Sequence, residues 1–135
     1  RAAEETVDEE PRSRAGVAVA PVFGAFEPVA RAHATCLASI GFVAHATPKC
    51  PGVPGLAAAA FHPRAKHHED VAAGDTALEA WERLNDSPAH RANLLCRTCS
   101  HSAIGLAVEP AEPPRVFVVW ELLEFPEGIP VPIRR

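Results

Sequence analysis

The chain has 135 residues, a formal net charge of −4, and a composition that is 47% hydrophobic and 22% charged. This length predicts one domain that can bury a core without a metal or a crosslink. The basic residues are scattered and lack interleaved aromatic side chains, which argues against a nucleic-acid partner. The longest weakly polar run, residues 15–26, is interrupted by Pro21 and Gly24, so it predicts no transmembrane segment.

The first half of the chain predicts one substantial helix. Five acids among the first ten residues indicate a short or frayed helix at residues 2–10, and the small and β-branched residues 16–22 suit a short strand. Pro28 can occupy the first turn of the next helix. Its apolar residues recur every three or four positions, which predicts a buried face of Val29, Ala32, Cys36, Ile40 and Val43. A loop over residues 46–68 follows, with one or two helical turns at residues 57–60.

The second half predicts two more helices and two strands. Thr76 and Glu79 form a capping box, which begins a helix with Leu78, Trp81 and Leu84 on one face. Ser87 and Pro88 begin a further short helix. Residues 71–73 suit a very short extended segment, and residues 103–108 and 116–123 are predicted strands. The last strand is apolar on both faces, so we expect it to be central and covered on both sides.

Four cysteines and no methionine indicate an oxidising compartment. Sequence alone allows three disulfide pairings. We favour Cys36 with Cys50, since the helix that carries Cys36 leads into the loop that carries Cys50, and therefore Cys96 with Cys99. Because no signal peptide is visible and the chain begins with Arg1, we expect a segment of a longer, processed protein.

The spacing of Cys96 and Cys99 leaves other interpretations open. Ser100 separates Cys99 from His101, which excludes a c-type haem attachment motif. A thioredoxin-like redox pair would need a strand before a helix, whereas this pair follows a short helix. A zinc site with all four thiolates and a set of four reduced thiols remain as alternatives to structural disulfides.

One block of sequence resembles a known family. It comprises His68-Glu-Asp-Val-Ala-Ala-Gly74, then Trp81, then Ser87-Pro-Ala-His-Arg-Ala-Asn-Leu-Leu95. This is similar to the central block of the CAP superfamily (cysteine-rich secretory proteins, antigen 5 and pathogenesis-related proteins), in its bacterial SCP-like branch. There the typical wording is Gly-Glu-Asn-Ile-Ala-x-Gly, a Trp, and Ser-Pro-Gly-His-Arg-x-Asn-Ile-Leu.

The resemblance covers residues 15–125 and is strongest from 69 to 108. It implies an α+β fold, a three-layer α-β-α sandwich with a small, mainly antiparallel central sheet. The domain would occupy residues 15–125, after an acidic N-terminal segment or frayed helix at 1–14 and before a C-terminal tail at 126–135.

The resemblance also implies a cleft with two histidines and two acids, which binds a divalent metal in some members of the family. The matching positions are His45, Glu69 and His90, while the fourth position, an acid in eukaryotic members, is Leu84. Glu82 and Asp86 have the wrong spacing to replace it. Two imidazoles and a carboxylate can bind zinc with an open fourth position. The alternative is that both histidines hydrogen-bond Glu69 and hold three segments together.

Other polar residues are assigned to the surface. A local group of histidines, His62, His67 and His68, favours a solvated loop, and the alternative is a surface metal site. We expect Glu121 and Glu124 at an edge or facing solvent. No serine lies in a nucleophile motif, because Ser87 is a helix cap and Ser39 is a polar helix position.

These features predict an exported protein: secreted, periplasmic or at the cell surface. We expect a CAP-like binding or structural module, such as a subunit of a surface assembly, with a protein partner or an apolar ligand such as a lipid or sterol. The alternative is a metal-assisted hydrolase that uses His45, Glu69 and His90. The incomplete tetrad and the lack of a nucleophile favour binding over catalysis.

Overall fold

A computed structural model describes residues 22–54 and 57–125. The helices are α1 (Glu27–Ile40), α2 (Ala77–Asp86) and α3 (Pro88–Leu94), and the strands are β1 (Lys66–Gly74), β2 (His101–Val108) and β3 (Val116–Glu124). Short 3-10 turns occupy Gly24–Phe26 and Ala57–Ala60, the second as predicted. Within the described residues, no helix has the length and apolarity needed to cross a membrane.

Three predictions concern segments at the ends of the chain. The acidic segment at 1–14 and the tail at 126–135 lie outside the described residues, as does most of the strand predicted at 16–22. Val22, the last residue of that strand, forms a single parallel bridge with Ser102.

The three strands form one antiparallel sheet in the order β1-β3-β2. β3 is central, and all seven residues between its two ends are buried, as its unbroken apolar run predicts. Alternate residues of the strands face opposite layers. Val71, Phe117 and Val119 pack with α1, whereas Ala72, Val118 and Trp120 pack with α2 and α3. The fold is therefore α+β, a three-layer α-β-α sandwich with a small antiparallel sheet, and that prediction is confirmed.

The buried face of α1 differs from the predicted one. The residues against the sheet are Ala30, His33, Ala34, Leu37 and Ala38, and Ala32 and Val43 are exposed. Mostly small side chains occupy this face because the helix lies very close to the sheet. A Cβ on Gly105 of β2 would come within 2.3 Å of the Ala30 carbonyl carbon. Bulkier residues such as Ile40 are displaced to the flank, where they are half-buried.

The start of α2 follows the predicted capping box. Thr76 Oγ1 accepts a hydrogen bond of 3.1 Å from the backbone N–H of Glu79, and the Glu79 carboxylate accepts one of 3.2 Å from the N–H of Asp75. The predicted apolar face is wrong in part. Leu84 is fully buried, but Leu78 is 59% exposed and Ala80 is buried instead.

β1 is longer than predicted and begins inside the expected loop. Its residues pair with β3 from Lys66↔Glu124 to Gly74↔Val116. Two of the predicted loop histidines, His67 and His68, therefore lie on a strand, and the solvated-loop interpretation is wrong for both. The sequence signal for a strand is weak here because the first four residues of β1 are all charged or polar.

Both disulfides form in the favoured pairing. Cys36 is bonded to Cys50 and Cys96 to Cys99, with Cα separations of 5.8 and 5.4 Å. The first ties α1 to the loop that follows it, and the second closes the turn between α3 and β2. Both separations lie in the normal range for an unforced bridge.

Candidate functional site

Two buried carboxyl groups lie at the centre of the candidate site. Glu69 on β1 and Glu121 on β3 are opposite each other in the strand register, so their side chains point to the same face of the sheet, the face that α1 covers. The Glu69 side chain is 9% exposed and the Glu121 side chain is fully buried. Burial of two like charges this close is unfavourable, and one of the two groups must hold a proton.

The proton belongs on Glu121. Burial is the largest cause, followed by hydrogen bonding to Glu69 and by repulsion from Glu69 and Asp70, and together these raise the pKa of Glu121 far above its ordinary value. Glu69 Oε2 and Glu121 Oε2 are both buried and, among the described residues, neither has a hydrogen-bond donor. A protonated Glu121 resolves this, because its O–H can donate to the Glu69 carboxylate.

Three imidazoles surround this carboxyl pair. His45 Nδ1 lies 2.7 Å from Glu69 Oε1, and His33 Nε2 lies 4.0 Å from the same oxygen. His67 Nδ1 is 2.7 Å from Glu121 Oε1. We call these five residues, His33, His45, His67, Glu69 and Glu121, the histidine–carboxylate cluster.

Backbone carbonyl groups complete the cluster. His33 Nε2 is 2.9 Å from the Ala44 carbonyl oxygen, and His67 Nε2 is 3.1 Å from that of Pro54. A carbonyl oxygen only accepts, so in each ring this nitrogen carries a hydrogen. The cluster thereby connects α1, the two loops that hold Ala44 and Pro54, and strands β1 and β3.

A third acid lies on the other face of the sheet. Asp70 is buried, and its Oδ1 accepts a hydrogen bond of 2.9 Å from Asn93 Nδ2 on α3. The same amide lies 3.3 Å from the backbone oxygen of Glu69. Burial raises the pKa of Asp70 to about 6, against the opposing effects of the Asn93 hydrogen bond and of the charges of His90 and His45. Asn93 thus holds α3 against β1.

The predicted site residues are brought together only in part. His45 and Glu69 are in direct hydrogen-bond contact. His90 lies on α3, where its charge lowers the pKa of Asp70. Leu84, at the family position for a second acid, is fully buried in the core, and Glu82 and Asp86 are exposed.

The most buried members of the cluster are not among the predicted site residues. The expectation that Glu121 lies at an edge is wrong, because it lies in the middle of the central strand. The sequence does hold a signal for this: Glu121 interrupts an apolar run in a strand predicted to be covered on both faces. His33 has no such signal, since the predicted face of α1 does not include it.

One cavity lies outside the cluster, and a second borders the cluster at His33. The end cleft, of about 340 Å³, lies at the C-terminal end of β1 beside α2 and is lined by Val43, Ala72, Gly74, Asp75, Arg83 and Arg115. The disulfide groove, of about 220 Å³, is mainly apolar and is lined by residues that include Val29, Ala32, His33, Val53 and the Cys36–Cys50 bridge. Neither cavity is lined by His45, Glu69 or His90.

Arg115 forms one wall of the end cleft. Its guanidinium donates to both Glu109 carboxylate oxygens, at 2.8 and 3.0 Å, and to the Gly41 carbonyl at 2.9 Å. It also lies 5.1 Å from the Phe117 ring centre. These contacts fix the C-terminal end of α1 against the connection between β2 and β3. The exposed Phe42 and Val43 follow directly, and Val108, which is 64% exposed, ends β2 at the same end of the sheet.

Comparison with known proteins adds information on the fold alone. No family model and no curated protein matches this sequence. Among solved structures, the chain is similar to an outer surface protein from Borrelia burgdorferi, with a TM-score of 0.65 and 16% sequence identity. The match covers 87% of this chain and 88% of that protein.

Proposed function

We propose that this chain is an exported, disulfide-bonded CAP-like module that binds a protein partner at its end cleft and does not act as a hydrolase. The observation that carries the proposal is that the end cleft lies apart from the predicted catalytic residues. The end cleft is lined by none of the predicted catalytic residues, and its lining includes the exposed apolar Val43, which follows the exposed Phe42. Exposed apolar residues next to a cleft are typical of interaction sites.

The cluster itself supports a structural role. A hydrolase needs a base that reaches both solvent and substrate, whereas Glu121 is inaccessible and Glu69 is nearly so. His45, whose side chain is 62% exposed, is the accessible end of the cluster. It uses Nδ1 to bind Glu69, and this contact fastens the loop after α1 to β1. The cluster therefore acts as an internal clasp between the layers.

Export is supported by three independent features. Both cysteine pairs are disulfide-bonded, which is typical of oxidising compartments. The block from Glu69 to Leu95 resembles a family whose members are usually exported. The structurally similar Borrelia protein is described as an outer surface protein. We infer a location at the cell surface, in the periplasm or outside the cell.

The test is binding of labelled protein to intact envelopes of the source organism. A double variant, Phe42→Asp with Val43→Asp, places one charge on the wall of the end cleft and a second beside it, and we expect it to lose at least about tenfold in apparent affinity. Thr35→Asp adds a charge on an exposed position of α1 away from the cleft and should bind like the unmodified protein. Equal binding by the double variant, at an unchanged unfolding temperature, would contradict the proposal.

Binding of an apolar ligand is the second candidate, and the disulfide groove favours it. A volume of about 220 Å³ is below the range for whole drug-sized ligands, but it suits the end of a hydrocarbon chain. Ala32→Phe should fill the groove and abolish binding of a fluorescent fatty acid. If the unmodified protein shows no saturable binding of that probe, this candidate is excluded.

A further inference from the structure

A second group of chemically reactive side chains lies apart from the clasp. The turn that holds Cys96 and Cys99 packs against the ends of β1 and β3, where the Ser100 N–H donates to the Leu123 carbonyl at 2.8 Å. His68 and Glu124 lie on those strand ends, on the face that α2 and α3 cover, and are directly hydrogen-bonded to each other. One donor atom from each of His68, Cys96, Cys99 and Glu124 lies within 4.8 Å of all the others.

Together these four side chains offer the number and the types of ligand that structural zinc takes. Structural zinc is held in a tetrahedron by thiolate, imidazole and carboxylate groups, with bonds of about 2.0–2.3 Å, and a Cys-x-x-Cys pair is its commonest element. Ligand atoms around such an ion are about 3.3–3.8 Å apart, as these bond lengths imply. The observed spread of 4.8 Å therefore needs only small side-chain movements to reach this geometry.

We propose that His68, Cys96, Cys99 and Glu124 form a closed, four-ligand site for a zinc-like divalent cation, which the Cys96–Cys99 disulfide masks and which reduction by a dithiol opens. The inference does not rest on the proposed function, because it uses neither the end cleft nor the clasp. In the disulfide, the two sulfurs are bonded to each other and neither is a thiolate, so they do not form a bidentate metal site.

The chemistry has two balanced steps. A dithiol reductant transfers two electrons and two protons to the disulfide, so the sulfur–sulfur bond breaks, two thiols form, and the dithiol becomes a disulfide. The cation then displaces one proton from each thiol and replaces the hydrogen bond between His68 and Glu124 with two metal bonds. Cys96 is half-buried, whereas Cys99 is buried, so we expect the reductant to attack the Cys96 sulfur first.

Cobalt(II) serves as the spectroscopic probe. The full chain is reduced anaerobically with a phosphine, the phosphine is removed, and Co²⁺ is added. We expect a thiolate-to-cobalt charge-transfer band with one cobalt per chain, which Zn²⁺ removes because it binds such sites more tightly. The oxidised protein should show no such band. Failure of the reduced protein to give the band, whether it stays folded or unfolds and is not refolded by cobalt, overturns the proposal.

Variants then locate the site. Cys36→Ser with Cys50→Ser should keep the band, whereas Cys96→Ser with Cys99→Ser should abolish it. His68→Gln leaves both disulfides in place and should weaken cobalt binding at least about tenfold. In the unmodified reduced protein, zinc should protect Cys96 and Cys99 from alkylation but leave Cys36 and Cys50 reactive. The opposite protection pattern would assign the metal to the other cysteine pair and contradict the proposal.

Discussion

Glu69 and Glu121 are opposite each other on β1 and β3, where a proton on Glu121 can join their two buried carboxyl groups in a hydrogen bond. This contact exists only while one of them is protonated, so folding must place a proton in the middle of the sheet. The resemblance to CAP proteins directs attention to Glu69 as a metal ligand or base. The structure gives it a protonated neighbour instead, and this neighbour determines what Glu69 can do.

The first prediction concerns Glu121→Gln. The raised pKa of Glu121 means that its favourable contribution is complete below the ordinary carboxyl pKa and is lost as pH rises toward the folded value. Glutamine has the same shape and needs no proton. We therefore expect the variant to be more stable than the unmodified protein by at least about 1 kcal/mol at pH 8, and the difference to vanish near pH 4. Urea unfolding at both pH values measures this.

Glu124→Gln on the same strand is the matched control, and its sign is opposite. Hydrogen bonding to His68 lowers the pKa of Glu124, so its contribution is present above the unfolded pKa and is lost as pH falls. The glutamine variant should be no more stable than the unmodified protein at pH 8. A Glu121→Gln effect that does not change with pH would show that Glu121 is ionised in the folded chain.

A second prediction concerns the titration of Asp70. Carbon-detected NMR should give a midpoint near 6, since burial raises its pKa to about 6. Asn93→Ala should raise the midpoint further, because the amide hydrogen bond lowers it, and His90→Ala should raise it by a smaller amount. An Asp70 midpoint in the ordinary carboxyl range would contradict the burial of this acid. A midpoint that His90→Ala leaves unchanged would show that α3 does not hold His90 near Asp70.

The sequence predicts the layers better than it predicts the site. The apolar run of β3 and the capping box of α2 depend on local chemistry, and both are confirmed. The face of α1 is missed because the close approach of Ala30 to Gly105 depends on a residue 75 positions away along the chain. The same limit applies to the clasp. Strand register brings Glu69 to Glu121, and no local sequence pattern predicts the register of two strands that are separated along the chain by two helices and a strand.

The third prediction concerns the disulfides. Intact mass measured without reductant should be four hydrogens below that of the reduced chain, two for each bridge. Replacing Cys36 and Cys50 with alanine should lower the free energy of unfolding by up to about 3 kcal/mol, as expected for a loop of about 15 residues. Replacing Cys96 and Cys99 should cost less, because their loop is shorter. Four free thiols in the native protein would contradict export.

The proposed function is tested most directly by turnover of the natively purified protein with whatever metal it carries. Peptide and ester hydrolysis should be compared for the unmodified chain and for Glu69→Gln, with circular dichroism to confirm that both are folded. If the cluster is a clasp, neither protein should hydrolyse these substrates above the blank, with or without added zinc. Metal-dependent turnover by the unmodified protein that is abolished in a folded Glu69→Gln variant would establish a hydrolase and contradict the proposed function.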